Sequence, residues 1–567
     1  MFSFTNIIDE KEDMRCLAFG LFSLLLFLGM PTTVSGEPGT PMLNSGTVDS
    51  LEWRDPMACD TSMLQGGVDY ALSDAPYLRI PHKWLDAKFG HEGEVASGLS
   101  VEFYSASPRM VVEVVYSRSH DLPSLPKLQL DLYSTDCHGS TVFVPCADYA
   151  NHDRTMTVGY DNLTYQNTHR FGNRYRLYLP SGVTIESVRI GTCQGTPFEW
   201  VPPRLETPII VSGVFANDRQ SPSDALAPFV QKTLDYSTVD LTVSTPLALD
   251  SLLIAQISDR KARLYILGFT DKKECGMTTD QIIRRVRQMR ERTETPILLA
   301  EGTSSTKSSL QAQREAYRRL VEEGIKSLYY STGDYIIPDI VSALNIKTDW
   351  VCAPITQARD MASYTWEKRH NQVIERNRTS DPEVLVIGNS IMNYWSGRPA
   401  AKHHRGDDSW SSLFGQRRVT NMGFGWDRIE NLNWRIMHGE LDDCAPSHIF
   451  LMIGTNNISV HDPVEHIAQG IVETVGLIRT KQPQAKLHLM TLTPRRGQEA
   501  IVREVNRRVG DLLKGNKEVD YINIYDVLTI PNSGGVINEA LFRDGLHPNA
   551  EGYRLIADRI SEAVGKL

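Results

Sequence analysis

The chain has 567 residues, too many for one hydrophobic core, so several domains are expected. Apolar residues make up 41% and charged residues 23%, which fits globular protein and excludes a disordered or fibrous chain. A net charge of −10 argues against nucleic acid or an anionic membrane surface as the main partner and leaves a neutral glycan open.

The N-terminus reads as an export signal. Arg15 precedes an apolar run over 16–30, and Val34-Ser35-Gly36 supplies small residues at the −3 and −1 positions of a cleavage site. Residues 1–36 are therefore assigned to a signal peptide, with Met14 as an alternative start, and the product to the periplasm or the exterior. The run is shorter than the ~20 residues of a spanning helix, so no stable membrane insertion is expected. Past Cys16, seven of the eight cysteines remain, too scattered for a small disulfide framework. Cys137 and Cys146 could still close a short loop in an oxidising compartment. No cysteine or histidine pair has zinc-site spacing and no Gly-rich phosphate loop is present, so neither metal nor cofactor is expected.

Residues 37–205 read as β structure. Segments such as Gly98-Leu-Ser-Val-Glu-Phe-Tyr104, Arg109-Met-Val-Val-Glu-Val-Val-Tyr116 and Tyr175-Arg-Leu-Tyr-Leu-Pro180 alternate or run apolar between Pro, Gly, Ser and Asp clusters. A β-sandwich is expected. After Pro202-Pro203, strands at 209–211, 252–254 and 264–268 alternate with helices at 279–292 and 311–323, which predicts a parallel sheet covered by helices over 206–360. A second run of this kind fills 364–567. It has a polar helix at 365–376, strands at 383–387, 448–453, 487–491 and 521–524, and helices at 468–481, 499–513 and 550–564. The expected architecture is thus multidomain, an N-terminal β-sandwich followed by two three-layer α/β domains with parallel sheets. The similar order of the two α/β runs suggests a diverged duplication.

Four segments of the last domain carry chemistry. Val386-Ile-Gly388-Asn389-Ser390-Ile391 places a serine directly after a buried strand, where its hydroxyl and backbone N–H can face the crevice beyond the strand ends. In Asn421-Met-Gly423-Phe-Gly425-Trp426-Asp427 the glycines permit a tight turn and an N–H aimed at a developing oxyanion. Gly454-Thr455-Asn456-Asn457 offers an uncharged amide donor after another strand. Arg543-Asp544-Gly545-Leu546-His547 supplies an imidazole able to exchange protons near neutral pH and a carboxylate three residues earlier to orient it. Each alone is also ordinary turn or cap chemistry.

Together and in this order, over about residues 364–567, they resemble the SGNH (GDSL-type) hydrolase family. The match is closest to the subgroup similar to the catalytic subunits of platelet-activating-factor acetylhydrolase, through 421–436, His438-Gly-Glu-Leu441 and Lys481-Gln-Pro-Gln-Ala-Lys486. The resemblance implies Ser390 as nucleophile, His547 as general base and then acid, and Asp544 as its orienter. It implies Asn456 and the N–H of Ser390 as oxyanion donors, together with the N–H of either Gly425 or Trp426. Two positions depart from the family: Asn389 stands for the usual Asp and Trp426 for the usual Gly.

Upstream, Leu130-Asp-Leu-Tyr133 looks like the Asp-Leu-Tyr motif of a β domain found before GDSL-like hydrolases in gut-type Bacteroidota, with Gln129 for its leading glycine. Pro208-Ile-Ile-Val-Ser-Gly213-Val-Phe215 aligns with the serine-bearing block but has Phe215 at the nucleophile, and Asp349-Trp-Val-Cys352 stands at the Asp-x-x-His position with Cys352 for histidine. The first α/β unit is therefore expected to be a non-catalytic SGNH-like copy. The whole reads as an exported serine esterase acting on small acyl groups, acetyl first, of a glycan or small ester. A lipid or lysophospholipid esterase and a non-catalytic carbohydrate-binding protein are the alternatives. Oligomeric state is not legible.

Overall fold

The computed structural model describes residues 50–68, 77–86, 90–117, 128–215, 221–248, 250–270 and 277–565; the signal-peptide segment lies outside them. No helix among the described residues is long and apolar enough to cross a membrane.

Residues 51–201 form two antiparallel sheets. One orders strands Leu51–Arg54, Thr184–Cys193, Met110–Ser117, Thr155–Tyr160 and Asp148–His152; the other orders Phe198–Val201, Ser100–Ser105, Asn173–Tyr178, Asp131–Thr135 and Thr141–Val144. Period-2 alternation drives the pairing. In Met110–Ser117 the side chains of Met110, Val112, Val114 and Tyr116 turn inward, where they share one apolar core with Val101, Phe103 and Leu177 of the other sheet. Cys137 and Cys146 remain free thiols rather than a bridged pair.

The Asp-Leu-Tyr motif splits across its strand by the same rule. Leu132 enters the core, while Asp131 and Tyr133 point the other way, towards the first α/β unit. There the Asp131 carboxylate accepts from the Ser223 N–H (2.9 Å) and from the Ser221 hydroxyl, and the Tyr133 hydroxyl meets that of Ser223 at 3.2 Å. The motif clasps two modules together.

Both α/β units carry a five-stranded parallel sheet, and with strands numbered in chain order within each unit the spatial order is 2-1-3-4-5 in both. The first uses Ile209–Phe215, Thr238–Thr242, Leu264–Thr270, Ile297–Ala300 and Leu328–Ser331. The second uses Val384–Gly388, Val419–Gly423, His448–Met452, Lys486–Met490 and Val519–Ile522. The identical strand order supports the duplication, and in open parallel sheets of this order a crevice lies where the order reverses beside the first strand.

One expected strand is a helix. Leu252-Leu-Ile254 lies in helix Ser251–Ser258, because Asp250 caps its start by accepting from the N–H groups of Leu252 and Leu253. The helical face Leu253, Ile254, Ile257 and Ser258 is buried, with Leu252 exposed. A short apolar run cannot by itself separate a strand from a buried helix. The unit's second strand, Thr238–Thr242, went unrecognised because Asp240 interrupts the apolar pattern; Asp240 is buried against Arg79 of the β region at 3.3 Å.

A buried ionic network joins all three modules. Arg174 bridges Glu367 at 2.9 Å, Tyr104 donates to the same carboxylate at 3.0 Å, and Arg176 bridges Glu102 at 2.7 Å and Asp235 at 3.3 Å. Asp235 also accepts from the Trp434 indole (3.0 Å) and pairs with Arg204 (2.9 Å), and His438 meets Glu206 at 2.7 Å. Thus Glu367, Trp434 and His438 of the last domain are held by groups upstream. Removing one partner of such a pair strands a buried charge. Glu367→Ala is therefore expected to destabilise the protein by about 3–5 kcal/mol, read as a lowered thermal unfolding midpoint; an unchanged midpoint would mean the network carries no stability.

Candidate active site

Strand Val384–Gly388 is buried throughout, so the chain emerges at its carboxyl end with Ser390 opening a short helix, Ser390–Asn393. Gly388 is required here: a Cβ would lie 2.2 Å from the Met452 carbonyl oxygen of the neighbouring strand. Asn389 caps the helix, accepting from the Ile391 N–H at 2.9 Å, so the cap of the usual aspartate survives. Its amide nitrogen, which an aspartate would lack, is buried without a partner among the described residues.

Ser390 Oγ lies 3.0 Å from His547 Nε2, and His547 Nδ1 lies 2.8 Å from Asp544 Oδ2. Asp544 is itself fixed, its other oxygen accepting from the backbone N–H groups of His547 (2.8 Å) and Leu546 (3.1 Å). Burial pushes the Asp544 carboxyl up, but the His547 N–H, its imidazole and the Leu546 N–H outweigh this and hold it below the usual carboxylate range. Burial also lowers the His547 imidazole. Asp544 offsets only part of that, and Arg405 and Arg495 lower it further. The imidazole is thus a free base at neutral pH, in contact with the hydroxyl whose proton it would take.

The glycine segment is part strand, Val419–Gly423, and part turn. The turn is pinned on both sides. The Gly425 N–H donates to the Tyr364 hydroxyl (2.6 Å), its carbonyl accepts from Gln357 (3.0 Å), and a Cβ on it would lie 2.0 Å from Asp360 Oδ2. Buried Asp427 accepts from Gln357 (2.9 Å), the Trp366 indole (3.0 Å) and Arg435 (2.8 Å). Between them Trp426 takes φ +64°, the left-handed conformation of the glycine it replaces. Asn456, in the first turn of helix Thr455–Ser459, donates one amide hydrogen to the Asp427 carbonyl at 2.9 Å, which leaves its second hydrogen. Of the two backbone donors left open by sequence, that of Gly425 is therefore occupied, while Trp426 N–H and Ser390 N–H donate to no group among the described residues.

Sequence reasoning missed the groups around this relay. Tyr394, four residues along the helix from Ser390, sets its ring 5.2 Å from that of His547, a spacing that helical periodicity could have flagged. Arg405 lies over the Tyr394 ring at 4.9 Å, and Arg495 is held by the Thr455 carbonyl at 2.9 Å. Gln357, Asp360 and Tyr364 come from a connecting segment with no pattern of its own. Burial holds Asp360 above the usual carboxylate range, and its Oδ2 has no hydrogen-bond partner. Residues 351–360, assigned by sequence to the first α/β unit, therefore lie against the second.

Phe215 and Cys352 do not come together. Phe215 ends the first strand of its unit and packs into that unit's core, whereas Cys352 packs on the core of the second unit with Sγ 3.9 Å from the His466 carbonyl. The Asp-x-x-Cys segment leaves its own crevice, so its positional match to Asp-x-x-His is not a spatial one. Burial, with Glu430, Asp462 and Glu473 nearby, pushes the Cys352 thiol up to about 12, so it is no nucleophile at neutral pH.

Hydrolysis that depends on neutral His547 falls as pH drops through its pKa. The acid limb of kcat/KM is expected below the ordinary imidazole value of about 6.5. Arg405→Gln removes a depressing charge and should move that limb upward. Asp544→Asn should move it downward and reduce turnover by roughly 10⁴-fold.

Comparison with known proteins places this geometry. Residues 386–555 match the model of the GDSL-like lipase/acylhydrolase family, and residues 51–198 match the GxDLY model, the N-terminus of SGNH-hydro-type esterases. Human platelet-activating factor acetylhydrolase IB subunit alpha2 is 29% identical over 209 residues, covering 36% of this chain and 84% of that protein. Among solved structures, a GDSL-like lipase from Bacteroides thetaiotaomicron aligns at 18% identity and TM-score 0.28, over 33% of this chain and 89% of its own. A salicylyl-acyltransferase from a tetracycline biosynthetic pathway aligns at 16% and 0.35, over 50% and 87%. Ser390, Asn456, Asp544 and His547 all fall within the 386–555 match to the GDSL-like lipase/acylhydrolase model, and the match to the N-terminus of SGNH-hydro-type esterases precedes it.

Proposed function

We propose that the last domain is a serine esterase that removes small acyl groups, acetyl first, from a carbohydrate through an acyl-enzyme. The observation that carries this is the unbroken relay from the Ser390 hydroxyl through His547 to Asp544, at 3.0 and 2.8 Å. Ser390 Oγ attacks the ester carbonyl carbon as His547 Nε2 takes its proton. The carbonyl oxygen becomes an oxyanion held by the N–H groups of Ser390 and Trp426 and the free amide hydrogen of Asn456. As the C–O bond to the alcohol breaks, His547 returns the proton to that alkoxide. Water then repeats the sequence on the acyl-serine, releasing the acid and restoring the hydroxyl. Asp544 stays ionised throughout and holds the imidazole in the tautomer that presents Nε2 to Ser390.

The substrate reading has two supports. The relay is surrounded by Tyr394, Arg405, Arg495 and Asp360, polar groups that suit a hydroxyl-rich alcohol better than an alkyl chain. The relative named an acetylhydrolase supports acetyl as the acyl group. The same name favours a second reading, a lipid ester as substrate. Export is proposed from Arg15, the apolar run and Val34-Ser35-Gly36.

A fluorophosphonate is expected to label wild-type protein and not Ser390→Ala, and His547→Ala should lose nearly all turnover; an unlabelled wild type would favour a non-catalytic binding role. Cleavage of acetyl but not palmitoyl nitrophenyl esters supports the small-acyl reading, and the reverse supports the lipid one. Phe215→Ala should leave turnover within about twofold in folded protein, since the first unit supplies no reacting group. A large loss there would overturn its assignment as non-catalytic.

A further inference from the structure

Trp426 occupies a backbone conformation that argues against any side chain. Its φ of +64° lies where glycine is free and other residues are strained. The indole does nothing to hold that conformation. Gly425 before it is fixed by Tyr364 and Gln357, and Asp427 after it by Gln357, Trp366 and Arg435. The Trp426 side chain is 52% exposed and takes part in no hydrogen bond, ring stacking or cation–π contact among the described residues. A large ring that strains its own backbone, stands half exposed and makes no polar or ring contact among the described residues points to what it meets from solution, because strain of this kind clusters at functional sites.

Its place in the site specifies the encounter. Trp426 is one residue from Asp427, whose carbonyl holds the Asn456 amide, and its own N–H is a proposed oxyanion donor. The indole is therefore carried by the same turn that offers the Trp426 N–H and holds Asn456. A flat, rigid, exposed apolar face matches a pyranose, which presents one face of C–H groups. Tryptophan supplies that area at small entropic cost, having only two side-chain torsions.

We propose that Trp426 is a platform subsite on which the sugar ring bearing the ester stacks. The subsite binds the alcohol half of the substrate and rests on the esterase reading above. Steady-state kinetics on an acetylated methyl pyranoside and on ethyl acetate test it in wild type, Trp426→Gly and Trp426→Phe. Glycine is at home at φ +64°, so Trp426→Gly removes the ring without straining the turn. Its kcat/KM should fall at least about tenfold more on the pyranoside than on ethyl acetate, mainly through KM, and Trp426→Phe should recover most of the difference. Equal loss on both esters, or a loss confined to kcat, overturns the platform while leaving the esterase intact. A wild type that hydrolyses neither ester takes down both.

Discussion

A hydrogen bond between two side chains 157 positions apart organises the site: the Ser390 hydroxyl on the His547 imidazole. It exists because a parallel sheet delivers the carboxyl ends of its strands to one edge. Ser390 leaves that edge directly after the first strand, and His547 returns to it from the loop before the closing helix Ala550–Val564. The closing helix is tied to the turn that carries Ser390, as the Tyr553 hydroxyl donates to the Ile391 carbonyl at 2.7 Å. Backbone N–H groups hold Asp544 and Asp544 holds the ring, so the geometry of the relay is set before any substrate arrives.

The Gly425–Asp427 turn depends on more of the chain than the 386–555 segment that matches the family model. Gln357, Asp360 and Tyr364 reach it from the connecting segment, and that segment is anchored to the β region, with the Ala358 N–H on the Cys137 carbonyl at 3.0 Å. Helix Trp366–Ser380 gives Trp366 to Asp427 and Glu367 to Arg174 of the β region. The upstream modules are thereby coupled to the cleft by direct contact. The first α/β unit keeps the sheet and presents Asp235 and Glu206 to Trp434 and His438.

Much of this was legible in the sequence, for reasons that differ by element. Strands Val384–Gly388 and His448–Met452 are uncharged runs bounded by glycine, and helix Ala550–Val564 follows its Asn549 cap, so period and punctuation sufficed. Asp544 and His547 were readable because their bond is local. The choice between Gly425 and Trp426 was not, since it turns on the Tyr364 hydroxyl, 61 positions from Gly425. Leu252-Leu-Ile254 misled because three apolar residues satisfy either period, and the Asp250 cap that decides for helix lies outside the run. Cys352 misled because alignment by order cannot see the chain cross from one unit to the next.

Serine attack leaves a covalent trace, and that trace is the most direct test. Wild-type protein quenched in acid during turnover of an acetyl ester, then digested and examined by mass spectrometry, is predicted to carry one acetyl group on the peptide containing Ser390. His547→Ala should carry none. Continued acetate release with that peptide unmodified, or acetyl found on another residue, would contradict the account.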